Sequence, residues 1–285
     1  MSMSVNTNVG AMAALQSLNE TTKGMSTVQS RITTGLSVSS TKDDSAKYTI
    51  AQKLRGDLGG LSAVTSSLSR AKSTVDVATA GAEQVSDLIN QMKSKATEAS
   101  DAGLDEKSRV AIGSDLKALK KQINSIVSSS EFNGTNLLKT DTTSKGKVSA
   151  VMSNDGTSTL DVDNINIEAD ATTAFGAAGT DTALDLSGDT GAATAKTLKT
   201  ALDTFADSLS TKLSTLGSAS RQIDGQTTFV SKLSDSIEGG IGNLVDADLA
   251  KESAKLQALQ VKQQLGVQAL SIANQAPQSI MSQFR

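Results

Sequence analysis

Apolar residues recur every three or four positions from Leu54 to Ala99, at Leu54, Leu58, Leu61, Val64, Leu68, Ala71, Val75, Ala78, Ala82, Val85, Ile89, Met92, Ala96 and Ala99. Steps of three and four alternate with a mean of about 3.5 residues, the repeat of a coiled-coil seam. A stripe this narrow, with Ala common on it, requires close helix neighbours rather than a thick core. After a break at Ser100 to Leu104, a second helix carries Ile112, Leu116, Leu119, Ile123 and Ile126, with Asp105 in the place of an N-cap. So short a break predicts antiparallel neighbours. A third helical stretch runs through Leu198, Leu202, Phe205, Leu209, Leu213, Leu216, Ile223, Val230, Ile237, Ile241 and Leu244, with interruptions expected at Gly225 and Gly239-Gly240.

Between these helices the period changes. Phe132-Asn133-Gly134 is a turn signal, because Asn-Gly supplies the positive φ that a tight turn needs. From about residue 139 to 193 Gly, Ser, Thr, Asp and Ala dominate, with alternation at Leu160, Val162, Ile165 and Ile167 and a turn at Asn154-Asp155-Gly156. This predicts a small β-hairpin with loops, inserted into a helical body. The fold class is thus mainly α: long antiparallel coiled-coil helices from both ends of the chain, with a small β insertion in the middle.

Both ends are periodic and poor in charge. Val5, Val9, Met12, Leu15, Leu18, Met25, Val28 and Ile32 follow helical spacing, yet Glu20 and Lys23 are the only charges in residues 1–30, and Lys255, Lys262 and Arg285 the only ones in 253–285. These stripes are expected to lack a partner within one chain, and to be unfolded in the monomer. In a stack of identical copies each charge would repeat beside its own kind, so ends built for self-assembly should avoid charge. The competing reading is disordered tails.

Composition narrows the chemistry. The 285 residues include no His and no Cys, which removes imidazole triads, Cys nucleophiles, disulfides and the usual zinc and haem sites. Aromatic residues are 2%, so burial rests on aliphatic seams. A single proline, Pro277, leaves long helices possible. The net charge of −3 comes without a basic stripe, which argues against nucleic-acid and anionic-membrane partners. No signal peptide or membrane span is expected at the N-terminal end, where the apolar run reaches only from Ala11 to Leu15. No cofactor and no metal are expected.

Two acidic clusters invite sharper readings. Asp43 and Asp44 have the spacing of a capping box, Thr41-x-x-Asp44, which is favoured over a carboxylate pair because adjacent helical residues do not face each other. Asp246, Asp248 and Glu252 are read as helix-dipole carboxylates rather than a cation site. Ser and Thr residues between 140 and 195 are candidates for O-linked sugars.

The residues at both ends resemble the bacterial flagellin family. Asn6-Thr7-Asn8, Arg31-Ile32-Thr33-Thr34-Gly35-Leu36, Lys42-Asp43-Asp44-Ser45-Ala46 and Glu131-Phe132-Asn133-Gly134 with Leu137-Leu138 are similar to its N-terminal motifs. Gln263-Gln264, Gly266, Leu270, Ala273-Asn274-Gln275, Pro277-Gln278, Ser282 and Arg285 are similar to its C-terminal ones in order and spacing. The resemblance covers roughly two thirds of the chain and implies a filament subunit with no catalytic activity. It implies polymerisation helices at 1–45 plus 245–285, a coiled-coil domain at 46–138 plus 194–244, and a short variable outer part at 139–193. The implied partners are further copies of the chain, the flagellar cap and hook-associated proteins, the type III export apparatus and an export chaperone. The implied address is the extracellular filament. One implied site departs from the family: where flagellins sensed by a vertebrate Toll-like receptor carry a run similar to Gln-Arg-x-Arg-Glu-Leu, this chain has Asn90-Gln91-Met92-Lys93-Ser94-Lys95. Competing readings are a hook–filament junction protein with similar ends, a secreted coiled-coil adhesin of fixed oligomeric number, and a carboxylate hydrolase, which lacks a convergent pocket signal.

Overall fold

A computed structural model describes residues 7–139 and 146–283, with side chains described as far as Gln275. The described residues form six α-helices: α1 Val9–Thr34, α2 Ser45–Ala99, α3 Glu106–Ser129, α4 Ile167–Phe175, α5 Gly191–Val245 and α6 Leu249–Gln283. The strands β1 Val148–Val151 and β2 Thr159–Val162 form one antiparallel pair with Val148 opposite Val162. The chain divides into two compact units, residues 1–58 with 235–285 and residues 59–234.

The helix boundaries follow local chemistry. Asn8 caps α1 by accepting from the Ala11 amide at 3.0 Å, and Gly35, at φ 72°, ends it in the left-handed conformation that lacks a Cβ penalty. Asp105 caps α3 through the Ser108 amide, a bond that with the Ser108 hydroxyl holds its carboxyl below the usual range. The capping box expected at Thr41 is displaced. Asp44 itself accepts from the Lys47 amide at 3.0 Å to start α2, whereas Asp43 turns back to the hydroxyls and amides of Ser39 and Ser40. Four bonds favour the Asp43 carboxylate and hold its pKa low, the Ser39 hydroxyl most of all. Asp44 wins because only the residue beside the first helical position faces the free amides.

In the larger unit, 59–234, Leu61, Val64, Leu68, Val75, Val85, Ile89 and Met92 of α2 are buried, as are Ile112, Leu116 and Ile123 of α3 and Leu202, Leu209 and Leu216 of α5. Leu119 is half-buried. Ion pairs fix the direction of packing: Lys72 meets Asp224 at 3.1 Å and Lys93 meets Asp203 at 2.6 Å, so α5 runs antiparallel to α2. Lys95 meets Asp115 at 2.5 Å across the α2–α3 turn. That turn is closed by buried Arg109, whose guanidinium donates to the carbonyls of Ala99, Asp101 and Leu104. Ala99 ends α2 and Asp101 and Leu104 lie in the turn itself, so one side chain satisfies the helix's final carbonyl and ties two turn carbonyls to it.

Two expectations about this unit are corrected. α5 is unbroken through Gly225 and Gly239-Gly240. A helical glycine costs about 1 kcal/mol against Ala, which a 55-residue helix with a continuous buried stripe absorbs. The insertion is also more ordered than a hairpin with loops. Ile165 lies past the strand, its amide donating to the Leu137 carbonyl, and Ile167 opens α4 behind Asn166, which caps it at φ 40°. Ile167, Phe175, Leu184 and Leu186 are fully buried, and the Phe175 and Phe205 rings meet at 5.9 Å, 58° apart. Four apolar residues dispersed among Ala, Thr and Gly seat the insertion on the helical body, Phe175 against Phe205 of α5 and Leu184 and Leu186 against Gly113 of α3, a spacing too sparse for a period to reveal.

In the smaller unit, Val38, Ala51, Ile241 and Val245 form a buried cluster against which Leu54 and Leu58 pack half-buried. The first two seam leucines therefore serve a different core from the rest. Backbone bonds close this cluster: Ser37 and Val38 amides donate to the Val245 carbonyl, and the Ala247 amide to that of Gly35.

Candidate assembly surfaces

The two terminal helices pack on each other. Along α1 and α6, Asn8 Nδ2 donates to the Ala273 carbonyl at 2.7 Å, Leu18 lies against Gly266, Leu259 against Gly24, and Arg31 pairs with Glu252 at 3.3 Å. Rising numbers on one helix meet falling numbers on the other, so the pair is antiparallel. At both glycines the packing is ordinary: a Cβ on Gly266 would stand 3.4 Å from a Leu18 methyl and one on Gly24 3.7 Å from a Leu259 methyl, so each leucine lies over a glycine with room left for a methyl. The expectation that the terminal stripes have no partner within one chain is thus overturned, since each stripe is the other's partner.

The pairing is incomplete. On α1 only Thr21 and Val28 are buried, while Val9 and Met12 stand 75% and 66% exposed and Leu15 is also exposed. On α6 Leu249, Val261, Leu265, Val267 and Ile272 are exposed. Val9, Met12, Ala13, Leu15, Gln16 and Asn19 line an open apolar groove. Large apolar side chains in water at this density mark a surface built for contact. Of the other terminal residues singled out from sequence, Gln263 and Leu270 are half-buried and Gln264 and Asn274 are exposed. Pro277 lies within the span of α6, and Val5, Asn6 and Arg285 lie outside the described residues.

The Arg31–Glu252 pair was missed by the pattern reading. Glu252 is buried on the first turn of α6, where the helix dipole favours its charge, and Asp248 caps the same helix through the Lys251 amide. Arg31 Nε and Glu252 Oε2 are buried without a hydrogen-bond partner, so the contact is a single bond rather than a fork. The available signal was that Arg31 and Glu252 flank the two charge-poor ends. Among the described residues no group of acidic side chains is arranged to hold a metal ion, and no helix is long and apolar enough to cross a membrane.

On the outward side of α2, Asn90, Gln91 and Ser94 are exposed, whereas Met92 is fully buried. Lys93 and Lys95 are engaged by Asp203 and Asp115.

Residues 5–143 match the bacterial flagellin N-terminal helical region, and residues 200–284 match the bacterial flagellin C-terminal helical region. The chain belongs to the bacterial flagellin family. It is 45% identical over 282 residues to flagellin FljM of Caulobacter vibrioides, covering 99% of this chain and 98% of that one. It is 40% identical to a flagellin of Brucella melitensis over 99% of each chain. The structure of a putative flagellar hook-associated protein from Vibrio parahaemolyticus is similar in fold, with a TM-score of 0.59 and 14% identity, over 72% of this chain and 100% of that one. Membership makes the chain a structural subunit that self-assembles into the flagellar filament, an extracellular surface appendage serving motility. Neither the adhesin nor the hook–filament junction reading is favoured. The two family matches flank residues 144–199, where the insertion lies.

Proposed function

We propose that the exposed apolar faces of α1 and α6 are the polymerisation surface of this flagellin, occupied by the same helices of neighbouring copies. The observation that supports this is the open row Val9, Met12 and Leu15 beside Leu265, Val267 and Ile272, in segments almost free of charge. In this reading residues 1–45 and 245–285 are the channel-lining domain, 46–138 with 194–244 the coiled-coil domain that the buried α2, α3 and α5 residues hold together, and 139–193 the outward variable part. The chain acts without catalysis. It is secreted uncleaved through the type III export apparatus with a chaperone on its C-terminal segment, and meets the cap and hook-associated proteins at the ends of the filament. Seeding the purified protein with filament fragments tests the surface. The native chain should extend seeds without limit, while Met12→Asp with Leu265→Asp should leave the monomer folded and stop growth, because a charge then repeats in every contact. A closed oligomer of fixed number, or undiminished growth of the variant, contradicts it.

We propose also that the Asn90 to Lys95 surface engages the flagellin-sensing receptor weakly. It offers Gln91 and Lys93, the lysine already paired with Asp203, where planar arginine forks are used, and Ser94 where a carboxylate stands. Gln91→Arg, Lys93→Arg and Ser94→Glu together should raise receptor activation by the monomer at least roughly tenfold, the scale of one restored hot spot. Strong activation by the native monomer contradicts this.

A further inference from the structure

Away from the terminal helices, α5 carries an unpartnered stripe of unusual chemistry. Arg221, Gly225, Phe229 and Lys232 follow at steps of four, four and three, so they share one helix face, and all are exposed. Phe229 is 57% exposed, the most exposed aromatic among the described residues of a chain with so few. Gly225, one turn before it, has open space where a side chain would stand. Ile223 and Val230 of the same segment are buried, so the stripe lies on the side of α5 turned from its own core. Arg221 and Lys232 make no ion pair or hydrogen bond with the described residues, while nearby Asp224 is turned aside to Lys72.

The complementary chemistry stands further along α2 of the same unit. Glu83, Asp87, Gln91, Ser94 and Glu98 lie at helical spacing on one exposed face. The three carboxylates are unpaired among the described residues, and the neighbouring cations, Lys93 and Lys95, are taken by Asp203 and Asp115. One chain cannot bring the two stripes together. Asp224 sits level with Lys72, which leaves Asp87 about 22 Å further along α2 at 1.5 Å per residue.

We propose that the Arg221–Phe229–Lys232 stripe of α5 docks on the Glu83–Asp87–Glu98 stripe of α2 in a second copy of this chain. The proposal rests on the filament reading and adds a contact between helical bodies to those of the terminal helices. Phe229 with the notch at Gly225 supplies the desolvated centre, and the charges fix register and exclude unlike neighbours. Because the two stripes differ, the contact is heterologous. Each bound pair leaves one stripe of each kind open, which is the geometry of indefinite growth rather than a closed dimer.

Charge exchange in the full-length protein tests it. One variant carries Arg221→Glu with Lys232→Glu, another Glu83→Lys, Asp87→Lys and Glu98→Lys, and a third Phe229→Ala. All sites are exposed, and unchanged melting of the monomers checks their fold. Each reversed variant alone should need at least roughly tenfold more protein than the native chain to extend seeds, the scale of a lost interface hot spot. An equimolar mixture of the two reversed variants should grow again, since every mixed contact regains opposite charges. Phe229→Ala should weaken growth without being rescued by either. Native-like growth of either reversed variant alone, or a mixture that stays as inert as its components, overturns the proposal. Failure of the native chain to extend seeds would instead refute the filament reading, so the two failures are distinct.

Discussion

Val75→Asp or Ile89→Asp removes filament growth by unfolding the helical body. Both side chains have no exposed surface on the α2 stripe, and neither has a cation within the seam to pair with. A carboxylate buried there must either stay charged in a low-dielectric site or take up a proton, and both outcomes cost free energy. The penalty is on the order of 4 kcal/mol or more, a large share of the stability of a typical domain. Circular dichroism should show reduced helix and a lowered melting temperature, and seeded growth should vanish. Ala193→Glu is the contrast: this residue is exposed near the start of α5, where a carboxylate is favoured by the helix dipole, and growth should be unaffected. Equal tolerance of the two substitutions contradicts the seam.

Lys120→Met should release the insertion from α3. Lys120 is 2% exposed, and its ammonium donates to the carbonyls of Phe175 at 3.1 Å, Ala177 at 3.0 Å and Thr180, with Asp181 Oδ1 at 3.4 Å and the Phe175 ring 5.8 Å away. One cation thus terminates α4 and gathers the loop that follows it, where carbonyls face inward. Methionine keeps the stem's volume and leaves those carbonyls without a donor, at a cost of about 3 kcal/mol. The melting temperature should fall and proteolysis within 176–181 should accelerate, while the terminal helices remain paired. Unchanged melting would show that water replaces the ammonium without loss. The same contact changes the expectation for Asp181, which as a residue of a loop-rich insertion looks freely replaceable. Asp181→Lys would place a second cation beside a buried one and should destabilise the insertion in the same direction as Lys120→Met.

The differences between pattern and structure follow from what a linear period can carry. The long α2 stripe was legible because Leu61 through Ala99 repeats one contact many times, and a repeated step survives local irregularity. Asp105 was legible because a cap is local in sequence. Lys120 was not, since its partners lie 55 to 61 residues away and all but Asp181 are backbone carbonyls, which no residue type announces. The Arg31–Glu252 pair spans 221 positions and is equally silent. α4 was lost because nine residues make too few turns for a stripe to stand out. Thr41 misled because Asp43 and Asp44 both suit a cap, and only the turn geometry assigns Asp44 to the helix and Asp43 to the serines. For the terminal helices the periodicity was visible, yet their mutual contact joins residues 221 to 265 positions apart, and a stripe does not say which helix it meets.

Amide hydrogen exchange, followed by mass spectrometry in the monomer and in the grown filament, addresses the terminal helices directly. They are paired but thinly buried, so local opening should be frequent in the monomer. Residues 9–34 and 249–275 should exchange at least roughly a hundredfold faster than Leu68 to Ala96 of α2 before assembly, since a free-energy difference of about 3 kcal/mol separates a frayed helix from a buried seam. In the filament they should become as protected as that seam. Equal protection of the two terminal segments in monomer and filament would contradict assembly through α1 and α6.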